Sequence, residues 1–180
     1  MNIKHLLIVF LIFYGENILA ENDDWASYGK DSGGGHYSKA SEITPDNVHL
    51  LEKVWVHRSG DYQSGANTRG KIAPEIQTSF QATPLLVNET LYYCTPFNRV
   101  FALNPETGEE KWIFDPQVNP AGRPLKTCRS LSSWEDPNKS KNDFCHHRLI
   151  GVTMDVDLFS IDAKTGKLCS DFGNNGKVDL

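Results

Sequence analysis

The chain has 180 residues, and its 23 acidic and 18 basic side chains give a formal net charge of −5 at pH 7. Hydrophobic residues make up 39% of the sequence, and the mean hydropathy is −0.44 with an isoelectric point near 5.6. These values exclude a polytopic membrane protein, and the lack of Lys and Arg runs argues against a nucleic-acid-binding surface. The length suffices for one domain with a hydrophobic core.

The first twenty residues have the order of a secretory signal peptide. Lys4 and His5 precede an apolar run at 6–14, and the small residue Ala20 comes before a polar stretch. This run is too short to span a hydrocarbon core, which needs about 20 residues. We therefore predict a signal peptide over 1–20, with an uncleaved anchor as the alternative, and export to an oxidising compartment.

Short β-branched and apolar runs separated by turn residues predict an antiparallel meander. Nothing nearby has the 3.6-residue period of a helix. We predict four strands at 82–87, 90–95, 99–103 and 109–114, with turns at Asn88-Glu89 and at 104–108.

A repeat of about 58 residues links this meander to the sequence that follows. The segment FALNPETGEEKW recurs as FSIDAKTGKLCS, so that Gly108 aligns with Gly166, and Trp55 precedes Trp112 by 57 residues. A single meander sheet cannot bury either of its faces, so it has to stack on neighbouring sheets. Radial stacking of such sheets gives a β-propeller, and we favour this architecture over a two-sheet sandwich. Ser170 stands where the next Trp is expected, with Phe172 as its substitute.

The cysteines allow three full pairings and do not have zinc-site spacing. They are Cys94, Cys128, Cys145 and Cys169. The run Cys145-His146-His147 lacks a second ligand group, so a turn is favoured over a metal site. We predict a Cys128–Cys145 disulfide, because both cysteines flank a single polar segment that the bond would restrain.

Five stretches together resemble the quinoprotein alcohol and sugar dehydrogenases that use pyrroloquinoline quinone (PQQ), most of all the glucose/quinate/shikimate branch. They are WASYGKDSGGGHYS at 25–38, the segment 43–61, QATPLLVNETLYYCTPFNRVFALNPETGEEKWIFDP at 81–116, TCRSLSSWED at 127–136 and the segment 159–180. The resemblance implies an all-β, eight-bladed propeller with PQQ near its axis, coordinated to Ca²⁺. It also implies that a catalytic Asp removes the proton of the substrate hydroxyl while hydride passes to the quinone.

The resemblance assigns three residues to the cofactor. Arg129 in CRSLSSW matches the family Arg that reaches PQQ oxygens, although a surface Arg beside a disulfide is the structural alternative. Gln81 stands where many relatives have a cofactor-binding Glu, and it keeps an acceptor without the charge. Thr153 in GVTMD matches a position that often offers a hydroxyl to PQQ, with a strand residue as the alternative.

Two further positions depart from the family pattern. Arg99 is a fourth cofactor-binding candidate, but Phe97 occupies the place where sugar-oxidising relatives often have a His, which weakens a transfer of glucose specificity. Lys30 stands where a cofactor-facing Arg is common, and it offers only a point charge.

The family's Asp base, calcium ligands, Trp floor and quinone-side Lys have no matching positions, so we predict no catalytic residue and no metal ligand here. About two to three blades fit between residues 21 and 180. We therefore predict the N-terminal part of an exported, periplasmic PQQ-dependent dehydrogenase, inactive by itself, for a sugar, polyol or cyclic hydroxy acid, with membrane association as the alternative location. The resemblance implies ubiquinone or a cytochrome as electron acceptor. The alternative is a non-catalytic propeller scaffold of the bacterial envelope.

Overall fold

The computed structural model describes residues 24–31, 33–62, 64–66, 72–119 and 126–180. This part of the chain contains eleven β-strands, one 3₁₀ turn at Val48–Leu50 and no α-helix. The strands are β1 (Ser64–Ala66), β2 (Ile72–Phe80), β3 (Leu85–Val87), β4 (Thr90–Cys94), β5 (Val100–Leu103), β6 (Glu110–Phe114), β7 (Lys126–Cys128), β8 (Ser132–Glu135), β9 (His147–Val152), β10 (Asp157–Asp162) and β11 (Lys177–Asp179).

The strands form two four-stranded antiparallel sheets and one sheet of three strands. Strands β3-β4-β5-β6 make the first meander, called blade 1, and β8-β9-β10-β11 make the second, called blade 2. In the third sheet β2 lies between β1 and β7, and it pairs with β7 in parallel. The predicted all-β propeller architecture is therefore confirmed, with two consecutive blades.

The meander predicted from the sequence is blade 1, with shorter strands. The first strand begins at Leu85 rather than at residue 82, because the backbone N–H of Thr83 donates to the carbonyl of Arg129 outside the blade, at 2.8 Å. The turn at Asn88-Glu89 is confirmed, and both residues have positive φ, 48° and 56°. Such a two-residue turn matches the twist of the strands that it joins.

A Trp–Gly contact joins successive units of the repeat that the sequence shows. The indole N–H of Trp112 donates to the carbonyl of Ala163 at 3.1 Å, and that of Trp55 donates to the carbonyl of Pro105 at 3.1 Å. Each ring lies on the glycine of the following turn, Gly166 or Gly108. The Trp112 contact positions blade 2 against blade 1, and the Trp55 contact holds the segment around Trp55 against blade 1.

One hydrophobic core runs through both blades. Leu85, Tyr92 and Val100 of blade 1 pack in one cluster with Phe159 and Ile161 of blade 2. The Tyr92 hydroxyl donates to the carbonyl of Ala163 at 3.0 Å, and burial raises the Tyr92 pKa to about 12. The two sheets are therefore packed as neighbouring blades.

The predicted Cys128–Cys145 disulfide is wrong. The disulfides are Cys94–Cys128 and Cys145–Cys169, with Cα atoms 5.9 Å and 5.8 Å apart. Cys128 lies before β8 and Cys145 lies after it, so strand β8 holds these two residues at opposite ends of blade 2. Neighbours in three dimensions, rather than the flanks of one loop, determine the pairing.

Among the described residues, no helix has the length and apolar character needed to cross a membrane. The predicted signal peptide at 1–20 lies outside the described residues.

Candidate functional site at the front edge of the blades

All four candidate cofactor residues lie at one edge of the two blades. In an antiparallel meander the chain enters the first strand, turns between the second and third strands, and leaves the fourth strand at the same edge. For blade 1 this edge carries Gln81 and the turn 95–99, and for blade 2 it carries Arg129 and the turn 153–156. We call it the front edge, and we call the edge with the other hairpin turns the rear edge.

Hydrogen bonds bring the front edges of the two blades together. The Asn98 side-chain oxygen accepts the backbone N–H of Met154 at 2.8 Å. The carboxylate of Asp155 accepts the N–H of Asn119 at 2.8 Å. The front edge is therefore continuous from blade 1 to blade 2.

The parallel pairing of β2 with β7 brings Gln81 and Arg129 side by side. Phe80 pairs with Cys128 at the carboxyl ends of these strands, and the next residue of each strand is Gln81 or Arg129. The Cys94–Cys128 disulfide fixes the end of β7 to the end of β4. Gln81 donates to the Ser79 hydroxyl at 3.0 Å, and Arg129 is exposed.

A cavity of about 370 Å³ opens beside Arg129, and Asn98, Thr127 and Gly151 are part of its wall. The Thr127 hydroxyl is buried and has no hydrogen-bond partner among the described residues. Such a group calls for an acceptor or a donor from outside the protein core. The buried Asn98 carboxamide adds an N–H donor at the same wall.

Thr153 closes a turn that the repeat uses twice. Its hydroxyl accepts the N–H of Asp157 at 3.1 Å, and its own N–H donates to the Asp157 carbonyl at 2.9 Å. Fifty-eight residues earlier, Thr95 makes the same two bonds with Arg99, at 3.2 Å and 2.9 Å. This gives Thr153 a structural role in the turn, while its role toward a cofactor stays a prediction.

The Arg99 guanidinium points to a different part of the front edge. It donates to both carboxylate oxygens of Asp61 and to the carbonyl of Ser59, and the bond with Asp61 raises the Arg99 pKa. It lines a separate cavity of about 500 Å³ together with Phe97. The structure therefore does not bring Arg99 together with Arg129.

Lys30 lies near β3 of blade 1 rather than in the cavity of Arg129. Its ammonium group is 5.8 Å from the ring centre of Trp25, and the backbone of Trp25 pairs with Leu86 of β3. The contact with Trp25 is of the cation–π type.

Sequence reasoning missed Thr127 and Asn98. Thr127 stands in the same TCRSLSSW motif as Arg129, and Asn98 belongs to the turn that recurs at Thr153. The repeated turn could have been found from the 58-residue offset of Thr95 and Thr153. No sequence signal indicates that the Thr127 hydroxyl is left without a partner.

A family model described as the β-propeller domain of PQQ-type glucose/ethanol/alcohol dehydrogenases matches residues 25–180. The chain belongs to this family.

The relatives of this PQQ propeller chain are much longer proteins. It is 36% identical over 165 residues to the quinoprotein glucose dehydrogenase of Escherichia coli K12, covering 88% of this chain and 20% of that protein. It is 30% identical over 172 residues to the quinate/shikimate dehydrogenase (quinone) of Acinetobacter baylyi, covering 87% and 20%. The chain thus spans about a fifth of the length of these relatives.

A solved structure supports the fold alone. The quinohemoprotein alcohol dehydrogenase from Comamonas testosteroni superposes with a TM-score of 0.57 at 23% identity, covering 81% of this chain and 18% of that one. The PQQ propeller fold of the described residues is therefore shared with a solved relative.

The residues around the front cavity fit a cofactor such as PQQ, which carries carboxylates and carbonyl oxygens. An Arg guanidinium can bind a carboxylate through two parallel N–H donors, and Arg129 stands at the cavity wall. The unpartnered Thr127 hydroxyl and the Asn98 amide add neutral donors beside it.

The described residues offer no comparable fit for calcium. Their one cluster of metal-type ligand atoms consists of Cys145, Cys169 and Asp171. The two sulfurs are joined in a disulfide, and Arg148 and Lys139 bind the carboxylate of Asp171. Calcium prefers a shell of oxygen ligands, which this cluster does not provide.

Proposed function

We propose that this chain forms part of the PQQ-binding propeller of an exported quinoprotein dehydrogenase for a sugar, polyol or cyclic hydroxy acid. The observation that carries the proposal is the parallel β2–β7 pairing, which brings Gln81 and Arg129 together beside the unpartnered Thr127 hydroxyl. PQQ, when bound, supplies the acceptor for the hydride of the alcohol.

The chain's own residues bind and orient the cofactor in this proposal. Arg129 holds a carboxylate of the cofactor, because its guanidinium keeps its charge and matches the geometry of the carboxylate. Thr127 and Gln81 contribute neutral hydrogen bonds at the same edge. Arg99 holds the segment 59–61 through Asp61 and leaves cofactor binding to the other residues.

Export is supported by the cysteines, since all four are paired in disulfides. Disulfides persist in compartments such as the bacterial periplasm, which we propose as the location. We propose ubiquinone or a cytochrome as the electron acceptor. The names of two relatives support this, since one is a quinate/shikimate dehydrogenase (quinone) and the other is a 1-butanol dehydrogenase (cytochrome c).

The chain by itself is proposed to be inactive. The proton-accepting Asp and the calcium ligands of the family have no counterpart motif in its sequence, and calcium is proposed only for a complete propeller. In an assay with PQQ, Ca²⁺, glucose and a dye acceptor, the rate of glucose oxidation with the chain should not exceed the rate without protein.

The proposal is tested in a chimaera. Residues 25–180 replace the matching segment of the Escherichia coli quinoprotein glucose dehydrogenase, and PQQ binding and glucose oxidation are measured. We expect PQQ-dependent activity, and Arg129→Ala should weaken PQQ binding at least tenfold, because a charged hydrogen bond contributes about 1.5–3 kcal/mol.

Arg58→Ala is the matched control, since Arg58 is also exposed but lies beside Trp55 in another cavity. It should leave PQQ affinity unchanged. A chimaera that folds with both disulfides closed but does not bind PQQ would overturn the proposal, as would equal losses in the two variants.

A further inference from the structure

A further cavity, of about 650 Å³, lies between the two blades at the rear edge. Tyr92 and Trp112 of blade 1 form one wall, and Glu135 and His146 of blade 2 form another. Its volume falls within the range of about 300–1,000 Å³ typical of small-molecule sites. It lies at the edge opposite Arg129, so the proposed cofactor site does not account for it.

A long loop between β8 and β9, which we call the rear loop (136–146), overhangs this cavity. The equivalent connection in blade 1 is the two-residue turn Asn88-Glu89. The Cys145–Cys169 disulfide ties the rear loop down, and Lys139 within it binds Asp171 at 2.8 Å. The rear loop is thereby held in place over the cavity.

Most polar groups of the cavity are already bound within the protein. The Asp162 carboxylate accepts the N–H groups of Cys145 and Thr165, both at 2.8 Å. His147 shares a hydrogen bond of 2.7 Å with the Ser133 hydroxyl. These groups therefore contribute to the structure of the walls.

His146 is different. Both of its ring nitrogens are buried and have no hydrogen-bond partner among the described residues, and its side chain is only 12% exposed. Leaving such nitrogens unsatisfied costs free energy. The Nε2 atom lies 3.9 Å from Oε2 of Glu135, too far for a direct hydrogen bond.

The distance between His146 Nε2 and Glu135 Oε2 is the spacing that one bridging hydroxyl group would need. An oxygen at a hydrogen-bond distance of about 2.8 Å fits between two atoms 3.9 Å apart, and a hydroxyl can serve both because it donates and accepts. A zinc ion about 2.0–2.2 Å from each atom would need an angle far wider than tetrahedral. The geometry thus favours a hydroxyl over a metal.

The rest of the cavity favours a neutral ligand with an apolar face. Lysines and carboxylates around it are equal in number, namely Lys111, Lys141, Lys164, Glu135, Asp143 and Asp162. A balanced charge gives no preference for an anion. Phe144 of the rear loop is 49% exposed at this cavity, and its ring can pack against C–H groups.

We propose that the rear cavity binds a neutral monosaccharide or polyol, with one hydroxyl between Glu135 and His146 and a C–H face on Phe144. This site is separate from the cofactor edge and goes beyond the proposed function. It requires neither PQQ nor catalysis.

The test is saturation-transfer NMR on the oxidised 180-residue chain, with D-glucose as the probe and D-gluconate as its charged counterpart. We expect saturable transfer to D-glucose, with a dissociation constant on the order of 1 mM, and at least fivefold weaker binding of gluconate. Glu135→Ala and Phe144→Ala should each weaken glucose binding at least fivefold.

Trp134→Ala is the matched control. Trp134 is 45% exposed, and alternation along β8 places it on the face opposite Ser133 and Glu135. We expect it to leave glucose binding unchanged. The proposal is overturned if no saturation transfer is seen at a glucose concentration 50-fold above the expected dissociation constant. Equal losses of glucose binding in Trp134→Ala and Phe144→Ala would also overturn it. So would a loss of glucose binding in Arg129→Ala with none in Phe144→Ala. The last result would place the sugar at the cofactor edge.

Discussion

At the scale of single residues, two glycines allow the tryptophans to join the units of the repeat. Gly108 and Gly166 have φ of 73° and 70°. A Cβ atom on either would lie 2.6 Å from the ring of Trp55 or Trp112. Glycine is therefore required at each position for two reasons. It tolerates the positive φ of the backbone, and it leaves space for the indole ring.

Gly166→Ala should lower the free energy of unfolding by about 2–4 kcal/mol, because left-handed strain adds to overpacking against Trp112. Gly60→Ala is the control, since Gly60 has φ of 79° but no atom within 4 Å of an added Cβ. It should cost about 1 kcal/mol. Urea unfolding midpoints measure both, and equal losses would contradict the ring-contact explanation.

We expect His147 to make the stability of the protein depend on pH. Burial lowers its pKa from the ordinary 6.5, so the folded protein disfavours protonation of this imidazole relative to the unfolded chain. Below about pH 6.5 the unfolded chain binds the extra proton, and the folded state therefore loses stability as the pH falls. Unfolding free energies at pH 7.5 and 5 should differ less in His147→Gln, and an unchanged pH dependence would rule out this role.

At the scale of elements, the disulfides stabilise two different connections. Cys94–Cys128 joins β4 to β7 and supports the front edge beside Arg129. Cys145–Cys169 joins the end of the rear loop to the segment after β10. Arg148 adds a bond of 2.7 Å to Asp171 near the same place. Each edge of the blades thus has its own covalent link.

Replacing either cysteine pair by alanine should cost about 3–4 kcal/mol, as the loop lengths of 34 and 24 residues imply. Hydrogen exchange should then rise at different places. Loss of Cys145–Cys169 should affect the rear loop and leave the front edge protected, and loss of Cys94–Cys128 should do the reverse. Non-reducing peptide mapping that recovered a Cys128–Cys145 peptide would contradict the assigned connectivity.

At the scale of the whole molecule, the segment 53–59 is an extended piece laid against blade 1. Trp55 and His57 point inward, and His57 bonds the Tyr93 hydroxyl at 2.6 Å and Glu110 at 2.7 Å. Val54 and Val56 point outward, 82% and 50% exposed. This alternation is that of a strand, yet the described residues give the segment no pairing strand. The unpaired backbone groups of such an exposed edge can pair with a strand of another chain.

We expect the chain to self-associate as its concentration rises, and Val56→Lys should weaken this association. Ile113→Lys is the control, because Ile113 holds the same repeat position in the paired strand β6 and is 44% exposed. Sedimentation velocity measures the effect. A chain that stays monomeric, or equal effects of the two lysines, would contradict the role of segment 53–59.

Several site features were beyond sequence reasoning because they join distant residues. Asp61 binds Arg99 across 38 positions, and no periodic signal connects them. The side-by-side placement of Gln81 and Arg129 depends on a parallel pair of strands, and the sequence analysis predicted only the antiparallel meander. The rear cavity depends on two blades and on a loop of which the sequence shows only that it is polar.

Residue types and spacing alone predicted the four strands of blade 1, the 58-residue repeat and the family, because these depend on local propensity and on spacing along the chain. Only the tertiary structure decided the disulfide partners, the Arg99–Asp61 pair and the unsatisfied groups Thr127 and His146. The physical reason is that blade packing brings together residues from different strands. Pairing and burial follow from that proximity rather than from residue type.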